Sequence, residues 1–181
     1  MTTALLVIDL QTTLCVGQWA VHGAQDLIGR VNAVSRKARA AGAPVVFIQH
    51  EDDHPLMRHG SEGWQLAPGL ETAEGDLFVR KTTPDSFFKT DLMGKLQARG
   101  VTALIVCGAQ TDFCVSTTVL GALEHGFPVT LVSDGHSTLD NGVLTAPQII
   151  AHHNLTLSHM NSFGVKVTLV PAAEVVVPPA A

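Results

Sequence analysis

A three-layer α/β/α sandwich built on a mostly parallel sheet of about six strands is the fold class this sequence predicts. Short apolar runs rich in β-branched residues recur along the chain, and helix-forming segments separate them almost throughout. Size points the same way. With 181 residues, 46% of them hydrophobic, the chain can bury one sizeable core and is short for two, so a single domain over 1–181 is expected.

The elements follow in order. ALLVID at 4–9, PVVFIQ at 44–49 and TALIVCGA at 102–109 are too short for helices and read as buried strands. Between the first two, Leu27, Val31, Val34, Ala38 and Ala41 alternate spacings of four and three, and Gly42 follows as a stop, which is the pattern of an amphipathic helix. The alternation continues with a strand at 76–80, a helix at 86–99, the strand at 102–107, a helix at 114–125, a strand at 128–133, a helix at 145–159 and a strand at 165–170. Such alternation favours right-handed βαβ crossovers. The segment 50–75 has Pro, Gly and His without periodicity and reads as an ordered functional loop. PAAEVVVPPAA at 171–181, with two consecutive prolines, reads as a C-terminal tail that packs on a neighbouring subunit.

Composition removes several function classes. The formal net charge is -5, and no run of Lys or Arg offers a footprint for a phosphate backbone, so no nucleic-acid partner is expected. No apolar stretch reaches about 18 residues, and the N-terminus lacks a basic start and cleavage region, so no membrane association and a cytoplasmic location are expected. Cys15, Cys107 and Cys114 are an odd number without paired spacing, as expected of thiols in a reducing compartment. No G-x-G-x-x-G follows the first strand, which weakens a dinucleotide-binding reading.

Ligands of open parallel sheets gather at the carboxyl ends of strands. Asp9 and Gln11, His50 to His54, Lys81, Ala109 to Cys114 and Asp134 to Ser137 stand at those ends. Cys114 falls where a strand gives way to a helix, and the amides and positive dipole end there favour a thiolate. The other reading, a small buried hydrophobe, is equally open from position alone. Cys107 within a strand and Cys15 in a loop read as structural. Asp9 closes an apolar strand, where a carboxylate either caps backbone amides or serves a polar site. As a base, it would take the Cys114 proton and return it to a leaving amine. Lys81 is either a solvated loop residue or an ammonium that favours the ionised forms of both.

Taken together, LLVIDLQ, the lysine of RKTTPDSFFKTDL and CGAQTDFCVSTTVLGALEHGFPVTLVSDG resemble the isochorismatase-like cysteine hydrolases in content, order and spacing over 4–170. The resemblance implies that family's Rossmann-like α/β/α fold and an Asp-Lys-Cys triad at Asp9, Lys81 and Cys114. Family members that cleave the vinyl ether of isochorismate lack the cysteine, so its presence implies hydrolysis of a C–N bond in a small-molecule amide through a thioester acyl-enzyme. Also implied are a cis peptide at Ala109-Gln110, an oxyanion hole from the N–H groups of Gln110 and Cys114, and a homo-oligomer. Gln110 departs from the small residue usual at its position.

Two competing classes stay open: a redox sensor using a low-pKa Cys114, and a small-molecule-binding protein without hydrolysis. His50, Asp52, Asp53, His54 and His59 fall within ten positions, types that suit zinc, manganese or iron. The order His50-x-Asp52 matches poorly the Asp-x-His pair of metal-dependent relatives, so neither metal nor other cofactor is expected. GSEGWQLAPGL resembles the metal-free branch. Gln11, Leu14, Trp19, Trp64, Phe87 and Phe113 are the expected pocket lining, and the pair His152 and His153 is expected to serve packing or subunit contact.

Overall fold

The computed structural model describes residues 2–179. Six strands form one sheet: β1 (Thr2–Ile8), β2 (Val45–His50), β3 (Leu77–Lys81), β4 (Val101–Ala109), β5 (Val129–Ser137) and β6 (Val167–Val170). They lie in the order β3-β2-β1-β4-β5-β6, and every pairing is parallel. Period-two alternation along buried strands sends successive side chains to opposite faces. Leu6 and Ile8 of β1 therefore join Val46, Ile48, Leu104 and Val106 on one side, against α3 (Leu92–Gln97), α4 (Ser116–Glu124) and Leu157 of α5 (Ala146–Ser158). Leu5 and Val7 join Val45, Phe47, Ile105 and Cys107 on the other, against the apolar stripe of α2 (Ala24–Ala40).

Strand order reverses between β1 and β4, the switch point at which open α/β sheets bind ligands. Here β4 passes close to β1. Gly108 has φ 125°, and a side-chain carbon there would collide with the Ile8 backbone oxygen. Glycine is the residue that fits such an approach.

Three elements differ from expectation. A short helix α1 (Thr12–Cys15) follows the first strand. The helix expected over 86–99 is reduced to α3, because side chains take over its first turn: Asp85 Oδ1 accepts from Phe87 N, Thr90 Oγ1 donates to Ser86 O, and Lys89 has φ 55°. The segment 171–179, expected as a tail, packs on its own chain. Ala172 and Val175 are buried in the core, and Lys37 Nζ donates to the carbonyls of Ala172, Ala173 and Val175. Its apolar residues find a partner beside α2, which the sequence alone does not reveal. Residues 180 and 181 of that expected tail lie outside the described residues.

Among the described residues, no helix is long and apolar enough to cross a membrane.

Candidate active site

Asp9 follows β1 with φ 50°, a left-handed conformation that a short polar side chain tolerates better than most. The turn is held by Asp9 N donating to Ile48 O and Gln11 N donating to Asp9 O, both at 2.9 Å. It leaves the carboxylate fully buried. Lys81 ends β3, two strands away. With strands about 4.8 Å apart, its Cα stands roughly 10 Å from the end of β1, a gap that suits the longest unbranched cationic side chain. Its ammonium, also buried, lies 2.7 Å from Asp9 Oδ2 and donates to Cys114 Sγ and to Thr83 O, each at 3.1 Å.

Cys114 comes from beyond β4. The peptide Ala109-Gln110 is cis, and the chain then makes a π-helical turn over Thr111–Val115 before α4 begins. Val115 N donates to Gln110 O at 3.1 Å, the five-residue spacing of a π turn, a local widening frequent at functional sites. Two side chains from the end of β5 tie this turn down. Thr138 Oγ1 donates to Asp112 Oδ1 at 2.6 Å. Thr111 Oγ1 lies 2.9 Å from His136 Nδ1, while His136 Nε2 meets Asn154 Oδ1 at 3.0 Å and Asn154 Nδ2 donates to Ser133 O. That last bond fixes which way the Asn154 amide faces, so His136 donates from Nε2 and accepts the Thr111 hydroxyl at Nδ1. Burial pushes the His136 pKa down, which keeps the ring neutral and this relay intact.

The electrostatics of the centre are those of a held proton. Burial is the largest influence on the Cys114 thiol, and with the adjacent Asp9 carboxylate it outweighs Lys81, so the pKa is pushed up to about 12. The expected thiolate is thus a thiol at rest. Burial and the facing Asp9 carboxylate set the direction of the net shift. Burial also pushes Lys81 down, but Asp9 and Cys114 together outweigh it and hold the ammonium above its ordinary value. Oδ2 lies 2.7 Å from the Lys81 ammonium, and Oδ1 has no hydrogen-bond partner among the described residues. The carboxylate therefore keeps acceptor capacity for a proton.

Above Cys114 opens a cavity of ≈ 400 Å³, walled chiefly by apolar side chains and floored by Asp9 and Cys114. Residues 3–170 match the isochorismatase domain. The chain belongs to the isochorismatase family. It is 39% identical over 147 residues to a streptothricin hydrolase of Streptomyces noursei, a match covering 81% of this chain and 52% of the relative, so the chain spans about half the length of that hydrolase. It is 27% identical over 154 residues to the ureidoacrylate amidohydrolase RutB of Stutzerimonas stutzeri, covering 65% of this chain and 62% of that protein. A crystal structure of an isochorismatase family protein superposes with a TM-score of 0.85 at 34% identity, covering 93% of this chain and 97% of that one.

Within this isochorismatase-family chain, Asp9, Lys81 and Cys114 meet as expected, and Gln110, Leu14, Trp19 and Phe113 line the cavity. Three expected lining residues do not. Gln11 is wholly buried beneath it: Nε2 donates to His50 O and Trp64 O, and Oε1 accepts from His50 N, so the side chain clamps two backbone segments. The Trp64 carbonyl is pinned by both Gln11 and Gln49, which leaves the indole edge-on to His59 in a separate surface depression. Phe87, turned inward by the Asp85 contact, stacks on Phe127 in the core.

His50 is the site residue that sequence reasoning did not single out as part of the centre. Clamped by Gln11 at the end of β2, it lines the cavity, and one ligand atom each from Asp9, His50 and Cys114 lie within 4.8 Å of one another. Burial, then the nearby Lys81 charge, push its pKa down and hold the ring neutral. Its place directly after an apolar strand was the available signal. It was overshadowed by the denser His and Asp cluster that follows. Of that cluster Asp52 and His54 also line the cavity, whereas His59 packs on Trp64.

Proposed function

We propose that this chain hydrolyses a C–N bond of a small-molecule amide, with Cys114 as nucleophile, Asp9 as proton carrier and Lys81 as charge balance. The observation that carries the reading is the single ammonium of Lys81, 2.7 Å from the Asp9 carboxylate and 3.1 Å from the Cys114 sulfur, beneath an apolar-walled cavity. Membership in a hydrolase family and the name of the amidohydrolase relative support it.

Because the thiol is protonated at rest, attack and proton transfer are coupled. Asp9 accepts the Cys114 proton as the sulfur bonds to the carbonyl carbon. The N–H groups of Gln110 and Cys114 receive the oxygen that becomes negative. Collapse breaks the C–N bond, the amine leaves with the proton held by Asp9, and a thioester remains. Water, deprotonated by Asp9, then releases the acid, and the proton returns to sulfur. Lys81 stays cationic throughout and keeps the buried carboxylate and the transient thiolate from facing each other uncompensated. In this scheme Lys81 fills the cationic role, and no metal is required. A metal ion drawn to Asp9, His50 and Cys114 would meet the Lys81 ammonium already beside two of the three. A thiol held protonated also weighs against a redox sensor, which needs a standing thiolate.

The test is a panel of small amides, including nicotinamide, carbamoyl compounds and lactams, scored by release of ammonia or acid. On any amide that is turned over, Cys114→Ala is expected to lower the rate by roughly a thousand-fold or more. Full activity in that variant sinks the proposal.

A further inference from the structure

The cavity above Cys114 is lopsided in charge. Leu14, Trp19, Leu56, Phe113 and Leu139 form its walls, and its ionisable groups besides Cys114 are Asp9, His50, Asp52 and His54. No Arg or Lys is among the lining residues. Lys81 lies below the floor, 2% exposed, with its charge matched by Asp9. His50 is held neutral by burial and by Lys81.

Asp52 is left as the unmatched charge of the wall. Its side chain is 48% exposed, and its nearest basic group is the neutral His50 ring, with Nε2 3.9 Å from Oδ2. Its position is set, since Oδ1 accepts from His54 N at 2.8 Å. The surrounding loop reinforces the sign. Residues 51–62 carry Asp52, Asp53 and Glu62, besides Glu51, against Arg58 alone. Glu51 is paired with Arg80, and the Arg58 guanidinium is turned to the Asp53 carbonyl. In a cleft with low-dielectric walls such a charge is felt more strongly than on an open surface.

We infer that the site selects amides bearing a positive charge ahead of neutral ones, and neutral ones ahead of carboxylates, with Asp52 as the specificity-determining group. The inference rests on the reading of Cys114 as the attacking atom, because that reading fixes where the substrate sits.

The probes are three methanethiosulfonates of similar size that disulfide-bond to a thiol: ethylammonium, propyl and ethylsulfonate. Their rates at Cys114, assigned by peptide mapping, are divided by their rates on free 2-mercaptoethanol. Cys15 and Cys107 are buried and serve as internal controls. At low ionic strength the corrected cation-to-anion ratio is expected to reach roughly ten-fold or more, and Asp52→Asn to lower it several-fold. Added salt compresses it. A corrected ratio near one, an unchanged ratio in Asp52→Asn, or failure of the propyl reagent to reach Cys114 each overturns the inference. Labelling needs no turnover, so its failure leaves the triad standing, whereas a fully active Cys114→Ala removes the hydrolase reading and leaves these ratios intact.

Discussion

The buried Lys81 is the residue whose removal most directly tests the electrostatic account. Replacing it by methionine keeps most of the aliphatic stem and deletes the charge. In the native protein the ammonium and the Asp9 carboxylate are 2.7 Å apart, with Lys81 2% and Asp9 0% exposed. At that separation and an effective dielectric near 20, the attraction is about 6 kcal/mol, most of it offsetting the cost of desolvating the two ions. Lys81→Met leaves that cost on Asp9 unmatched and strips the Thr83 carbonyl of its donor. The expected loss is about 3–5 kcal/mol in urea unfolding at neutral pH. Because the loss comes from an abandoned charge, Asp9→Asn combined with Lys81→Met should recover a large part of it. A single variant within about 1 kcal/mol of the native protein, or a double variant no more stable than the single, would refute the reasoning.

Two further outcomes follow from the same geometry. Asp9 raises the Cys114 pKa, so Asp9→Asn should lower it, and under the proposed mechanism should abolish hydrolysis; iodoacetamide rates between pH 6 and 10 should rise in the variant, and an unchanged profile would contradict the assignment of Asp9 as the thiol's neighbouring charge. His136 has a folded-state pKa below its ordinary value, so the unfolded chain binds more protons and stability should fall as pH drops below about 6.5. Urea midpoints measured across pH 5–7.5 should show that slope; because burial also depresses His50, His136→Gln should reduce the slope without removing it.

Much of the architecture was legible because its causes are local. Buried parallel strands need unbroken apolar runs, so all six strands could be read from the chain, and the stripe from Leu27 to Ala38 marked α2. Where local cues failed, a side chain had captured the backbone. Asp85 and Thr90 cut short the expected helix before Leu92. Asp9 and Lys81 stood out as charges at the ends of apolar strands, a placement that costs free energy unless it serves a site. Aromatic residues carried no such signal. Trp19 and Phe113 face the cavity while Phe87 and Trp64 do not, and all four are large and apolar in the sequence.

The sequence by itself therefore determined the strands, the helices between them and the reactive residue types at the strand ends. These depend on periodicity and propensity over a few residues. Tertiary structure decided what those residues become. It brought Asp9, His50, Lys81 and Cys114 together from four strand ends, replaced an expected thiolate by a thiol held up to about 12, and left Asp52 as the unmatched charge of the cavity wall. The reason is that desolvation and Coulomb interaction depend on distances and burial set by residues far apart along the chain, which no local pattern records.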